Sequence, residues 1–182
     1  MKTYKELLAK WGEDVERETF TREQEKEYVE DWYKIGRNLP TKPFENLFSD
    51  YAKYDGQTFE IVGEVNEGED GVTLEQLPMW KLKMNDGQII WGLCDEIFNF
   101  EAEEFRYQWG ILVNKVLTQG RMVAFEMFNT ELQEHEYHNI QADFDKCTLN
   151  WGDYSVEYDT DFDIDANLEN LYETIMQSGK YE

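Results

Sequence analysis

The chain has 182 residues, and 40 Asp and Glu against 17 Lys and Arg give it a formal net charge of -23. That excess argues against a binder of nucleic acid or anionic membranes, because like charge repels phosphate, and it favours basic protein partners. High net charge with low hydrophobicity warns of disorder, but six Trp, eleven Tyr and eleven Phe supply the aromatic mass of a packed core, so a folded chain is expected.

The acidity rises along the chain. Residues 1–50 carry nine basic and twelve acidic groups, a net of -3; residues 51–120 carry five and thirteen, a net of -8. Residues 121–182 carry fifteen acidic groups against Arg121, Lys146 and Lys180, a net of -12. These segments define an N-terminal helical unit (1–50), a central β module (51–120) and an acidic β/α unit (121–182), or the three parts of one compact domain. Cys94 and Cys147 lie far apart and form no CxxC pair, so two reduced thiols in a cytoplasmic protein are expected. The charged start MKTYKELLAKWGEDVE lacks a signal-peptide pattern, and no apolar run approaches the ~20 residues of a membrane span.

Tyr4, Leu7, Leu8, Trp11 and Val15 fall at helical spacing. Thr21 with Gln24 predicts a capping box opening a second helix, whose stripe is Tyr28, Val29, Trp32 and Ile35 and whose stop is Gly36. The two helices should occupy residues 3–36, closed by Pro40 and Pro43. The period then changes. Gln57-Thr-Phe-Glu-Ile-Val-Gly-Glu-Val65 reads as a strand, and Met79–Met84 alternates apolar and basic residues. Asn85-Asp86-Gly87 predicts a hairpin turn returning through Gln88–Leu93, part of a small SH3-like antiparallel sheet. Asp95–Phe98 should form a short helical turn.

Residues 100–118 fit helix or strand. Arg121–Phe128 reads as a strand, with two or three more through Tyr158. Asp163 or Asp165 can cap a last helix with Ile164, Leu168, Leu171 and Ile175 on one face, stopped by Gly179. The fold class is therefore α+β: an N-terminal helical pair, a central antiparallel sheet, and C-terminal strands closed by one helix.

The sharpest chemical signal is Glu157-Tyr-Asp-Thr-Asp-Phe-Asp-Ile-Asp165, five carboxylates at every second position. In an extended strand they share one face at about 6.6 Å intervals, a spacing like that of successive phosphates. Tyr158, Phe162 and Ile164 would then anchor the other face in the core. With Asp153 these residues (Glu157, Asp159, Asp161, Asp163, Asp165) are the candidate partner-binding face. The competing reading is a solvated edge strand that uses charge against aggregation. Asp159, Asp161 and Asp163 match the first three acidic positions of an EF-hand loop, but Ile164 replaces the turn glycine and Asn170 the last glutamate, so no metal site is expected.

His135-Glu-Tyr-His138 lacks the spacing of the HExxH zinc motif, and on a strand its imidazoles would face opposite sides. His135 and His138 are nonetheless the only histidines, so they are the candidates for acid–base chemistry, with Glu134 or Glu136, if the protein cleaves RNA. No phosphate-binding glycine loop, nucleophile elbow or kinase motif set occurs. No cofactor is expected. Lys81 and Lys83 give a small basic strand face, best paired with neighbouring carboxylates.

Tyr54–Val62, Leu77-Pro-Met-Trp-Lys-Leu-Lys-Met-Asn-Asp-Gly87 and Cys94-Asp-Glu-Ile97 together resemble a small β module of proteins from phages, plasmids and integrative elements of gut Firmicutes. With its length and acidity, the chain looks like a type II anti-CRISPR protein, an inhibitor of Cas9. The resemblance implies a bacterial cytoplasmic setting, and Cas9 or its guide-RNA complex as the partner. Some such proteins act by occlusion, and at least one group promotes guide-RNA truncation. It carries over no functional residue. Another possibility is an accessory protein of a mobile element, directed at a different basic DNA-processing protein.

Overall fold

The computed structural model describes residues 3–12, 15–47, 50–119 and 124–181. The chain divides into two compact units, Met1–Asn99 and Phe100–Glu182. The α+β class expected from the sequence is what the chain adopts.

In the first unit, α1 (Tyr4–Trp11) and α2 (Arg22–Gly36) each begin with a capping box. Thr21 Oγ1 accepts from the Gln24 amide at 3.3 Å, and the Gln24 side chain accepts from the Thr21 amide at 2.9 Å. Two otherwise unpaired helix-start donors are thereby satisfied, as the Thr-x-x-Gln spacing predicts. Leu7, Val29, Trp32 and Ile35 are buried. Trp11 meets Tyr28 edge-on at 5.6 Å, and Tyr28 meets Trp32 at 6.3 Å.

Strands β1 (Glu60–Glu64), β2 (Trp80–Lys83) and β3 (Ile89–Gly92) form an antiparallel sheet in the order β1-β2-β3. The β2–β3 hairpin turns at Gly87, whose φ of 82° glycine adopts without the steric cost of a Cβ. Register pairs Trp80 with Gly92 and Leu82 with Ile90. Strand β1 is shorter than the expected Gln57–Val65 segment. Its first residues are used elsewhere: Gln57 O accepts from the Phe44 amide at 2.9 Å, which ties the segment to the preceding loop.

Trp80 is 1% exposed and sits edge-on to Tyr33 at 5.4 Å and to Phe98 at 4.9 Å. Helix α2 reaches it only because its last residue has no side chain. A Cβ on Gly36 would lie 2.7 Å from the Trp80 ring. The short α3 (Cys94–Ile97) follows β3, and both cysteines of the chain are free thiols.

The second unit opens with α4 (Phe100–Gln119), which resolves the helix–strand ambiguity of that segment as helix. A hairpin of β4 (Ala124–Asn129) and β5 (Glu134–Asn139) follows. Of the strand expected over 121–128, residues 121–123 lie outside the described residues. A separate three-stranded antiparallel sheet contains β6 (Gln141–Asp143), β7 (Thr148–Trp151) and β8 (Tyr154–Glu157). Helix α5 (Ile164–Gln177) closes the unit, with Leu171 and Ile175 buried and Ile164 and Leu168 partly so. Its buried core also holds Phe105, Leu149, Trp151 and Tyr158, the rings of Phe105 and Tyr158 stacking at 3.7 Å. No helix among the described residues is long and apolar enough to cross a membrane.

Candidate functional site

The six acidic candidates follow one another from the β7–β8 turn (Asp153) through the end of β8 (Glu157) and the connection after it (Asp159, Asp161) to the N-cap and first turn of α5 (Asp163, Asp165). Trp151 pairs with Tyr154 across a turn made by Gly152 and Asp153. Gly152 has φ 54°, the positive value that a tight hairpin turn requires at its first position, and Asp153 is presented beside it in solvent. Strand β8 then alternates: Val156 is buried and Glu157 exposed. Tyr158 enters the core, its phenol pushed up to about 12 by burial.

Beyond Glu157 the expected extended ladder does not form. The strand ends there, the chain turns through residues 160–162, and Asp163 is the N-cap of α5. The carboxylates of Asp159, Asp161, Asp163 and Asp165 therefore do not stand at regular strand intervals. Side-chain bonding to the backbone explains the turn. Asp159 Oδ1 accepts from the Asp161 amide at 2.9 Å, and Asp163 Oδ1 from the Ala166 amide at 2.9 Å. Short acidic side chains compete with the strand ladder in this way, and at a helix start the competition is decisive.

Phe162 also departs from expectation. It is 58% exposed rather than anchored in the core, because the turn puts it outward. Tyr158 is buried and Ile164 partly so, as expected for the other two anchors.

The residue that shapes this segment is Asn167, which the charge pattern did not single out. It is 3% exposed. Its Oδ1 accepts from the Asp159 amide at 2.9 Å, and its Nδ2 donates to Asp159 O at 2.8 Å and Asp163 O at 3.0 Å. One carboxamide thus holds both ends of the acidic turn. The available signal was a polar residue on the otherwise apolar stripe of Ile164, Leu168 and Leu171. All six candidates, Asp153, Glu157, Asp159, Asp161, Asp163 and Asp165, are solvent-exposed. Of these, Asp159 and Asp163 are ordered by bonds from the backbone while their charge stays in water.

No group of three or more His, Cys, Asp or Glu among the described residues is arranged to hold a metal ion. His135 and His138 lie on β5 three positions apart, hence on opposite faces. The ring of His138 packs edge-on against Trp151 at 4.7 Å, whereas His135 is exposed. They do not converge on one reacting atom. Glu136 is engaged with Tyr181 and Asn129, which donate to its Oε2 at 2.7 and 3.0 Å and hold its carboxyl below the usual range. A cleft of about 310 Å³ beside His138 is lined by Tyr137, Asn139, Gln141, Asn150 and Gly152, so it offers one imidazole and no carboxylate.

Comparison of the chain with protein-family models, with curated proteins and with solved structures found no match.

Proposed function

We infer that this protein is a non-enzymatic inhibitor whose acidic C-terminal unit docks on a basic, nucleic-acid-handling protein, with a Cas9 effector, alone or loaded with guide RNA, as the partner. The observation that carries this reading is a one-sided charge distribution. Between Lys146 and Lys180 the sequence has eight Asp and Glu and no Lys or Arg. Six of the eight lie in the segment 153–165, where all are exposed.

Cas9 holds its heteroduplex in a positively charged channel and reads the adjacent motif with arginines. A field of this sign accelerates encounter with such a surface and repels competing nucleic acid. Docking there would block nucleic-acid entry or cleavage without chemistry on the inhibitor's part. Without a regular carboxylate ladder, the segment acts as a dense anionic patch and not as a phosphate-by-phosphate copy of a strand.

Replacing Asp159, Asp161, Asp163 and Asp165 together by Asn tests it. Asn keeps the cap and turn acceptors, so the fold should survive. Four exposed charge pairs are worth up to about 1 kcal/mol each, so affinity for Cas9 should fall by about ten- to a hundredfold, with a shallower salt dependence. Unchanged affinity and salt slope in a folded variant would remove this face from the interface.

A further inference from the structure

The hairpin of β4 and β5 pairs with no other strand among the described residues. Opposite residues of an antiparallel pair share a face, so the face that carries the buried Met127 also carries Asn129, Glu136 and His138. Polar groups thus stand where a sheet normally buries apolar ones, and they need partners from outside the hairpin. Tyr181 is such a partner. Its hydroxyl donates to Glu136 Oε2 at 2.7 Å, the oxygen that also accepts from Asn129 Nδ2 at 3.0 Å. Its ring meets Trp151 edge-on at 5.3 Å and Tyr154 at 5.8 Å, the two residues that flank the β7–β8 turn. Asn129 and Tyr181 also form an isolated antiparallel bridge, and Lys180 O accepts from the Thr130 amide at 2.8 Å and from Thr130 Oγ1 at 3.0 Å. One short segment therefore fastens the end of β4, the middle of β5 and the β7–β8 turn.

We propose that Lys180–Tyr181 is a releasable strap that closes the β4–β5 hairpin onto the β7–β8 turn, so that the second unit has an open as well as a closed form. The geometry makes release local. Helix α5 ends at Gln177, and Gly179 follows with φ 71°, a left-handed conformation that stops the helix without a Cβ cost. Rotation there moves Lys180 and Tyr181 and leaves Leu171 and Ile175 in the core. Hydrogen-bonded seams part more readily than apolar ones, because water replaces the bonds that are lost. Release uncovers the rings of Trp151 and Tyr154 beside the exposed Asp153, and it frees the backbone edge at Asn129 and Thr130. The strap holds or fails whatever partner the acidic face takes.

Native-state hydrogen exchange of the full chain at low urea concentrations tests this. Protected amides in residues 125–138 should exchange at least about tenfold faster than those in residues 148–157, and with little dependence on urea, as a local opening does. Tyr181→Ala removes the ring and the hydroxyl together. It should speed the hairpin amides by a further factor of about ten or more and leave the rates in β7 and β8 unchanged. Tyr181→Phe keeps the ring and loses only the bond to Glu136, so it should speed the hairpin amides about fivefold, the effect of one hydrogen bond. Equal acceleration in both regions would make Tyr181 an ordinary core residue and overturn the strap. Unfolding of the whole unit by Tyr181→Ala would do the same, because a strap can be removed with the sheet left standing. Hairpin rates that neither substitution changes would also overturn it.

Discussion

Arg17→Met is expected to destabilise the first unit by about 3–5 kcal/mol, because it strands a buried carboxylate. Glu25 is 6% exposed although it lies in a helix rich in acidic residues. Arg17 makes that burial tolerable. Its Nε donates to Glu25 Oε2 at 3.1 Å, and its Nη2 donates to the same oxygen. The same guanidinium donates to Leu77 O at 2.6 Å and Leu74 O at 3.2 Å, and it lies 4.7 Å from the Tyr28 ring centre. One side chain thus ties the start of α2 to the loop that leads into β2. Met fills similar volume but satisfies none of these acceptors. Urea unfolding of the full chain should show the loss. Arg17→Met with Glu25→Gln should recover part of it, since the uncompensated charge is gone. A loss below about 1 kcal/mol for the single variant would mean that Glu25 is better hydrated than its burial implies.

Asn167→Ala carries the second large effect, at about 2–4 kcal/mol on the second unit. The substitution removes three hydrogen bonds worth roughly 1 kcal/mol each and leaves partly buried backbone groups of Asp159 and Asp163 without their partner. Asn167→Asp should fare no better, because a carboxylate oxygen would replace the donor that faces two carbonyls. Amide hydrogen exchange gives the local readout. The Asp159 amide should lose protection in either variant, and affinity for a basic partner should fall as the acidic turn loses its fixed shape. Protection of that amide equal to wild type would show that the turn does not depend on Asn167.

The contrast between these two residues explains what the sequence could express. The Thr21–Gln24 capping box, the Asn-Asp-Gly turn and the α5 stripe are local rules, and each is legible from a few neighbouring residues. Three-stranded pairing around Trp80 followed from alternation and a turn. The acidic run reads as a strand because its alternation is periodic, but that period is in charge alone; the cap at Asp163 and the clamp at Asn167 compete with it and win. Phe162 is exposed for the same reason. Arg17 and Glu25 were invisible because the carbonyls that Arg17 meets come from residues 74 and 77, far along the chain.

Inhibition of Cas9 cleavage is the most direct test of the central claim. A target plasmid is cleaved by guide-loaded Cas9 with increasing amounts of this protein, and the guide RNA is run in parallel on a denaturing gel. The account predicts blocked cleavage with full-length guide, relieved by added salt and by the fourfold Asp→Asn variant. Blocked cleavage with shortened guide that persists in that variant would contradict it, and would move attention to His135, His138 and a metal-dependent activity.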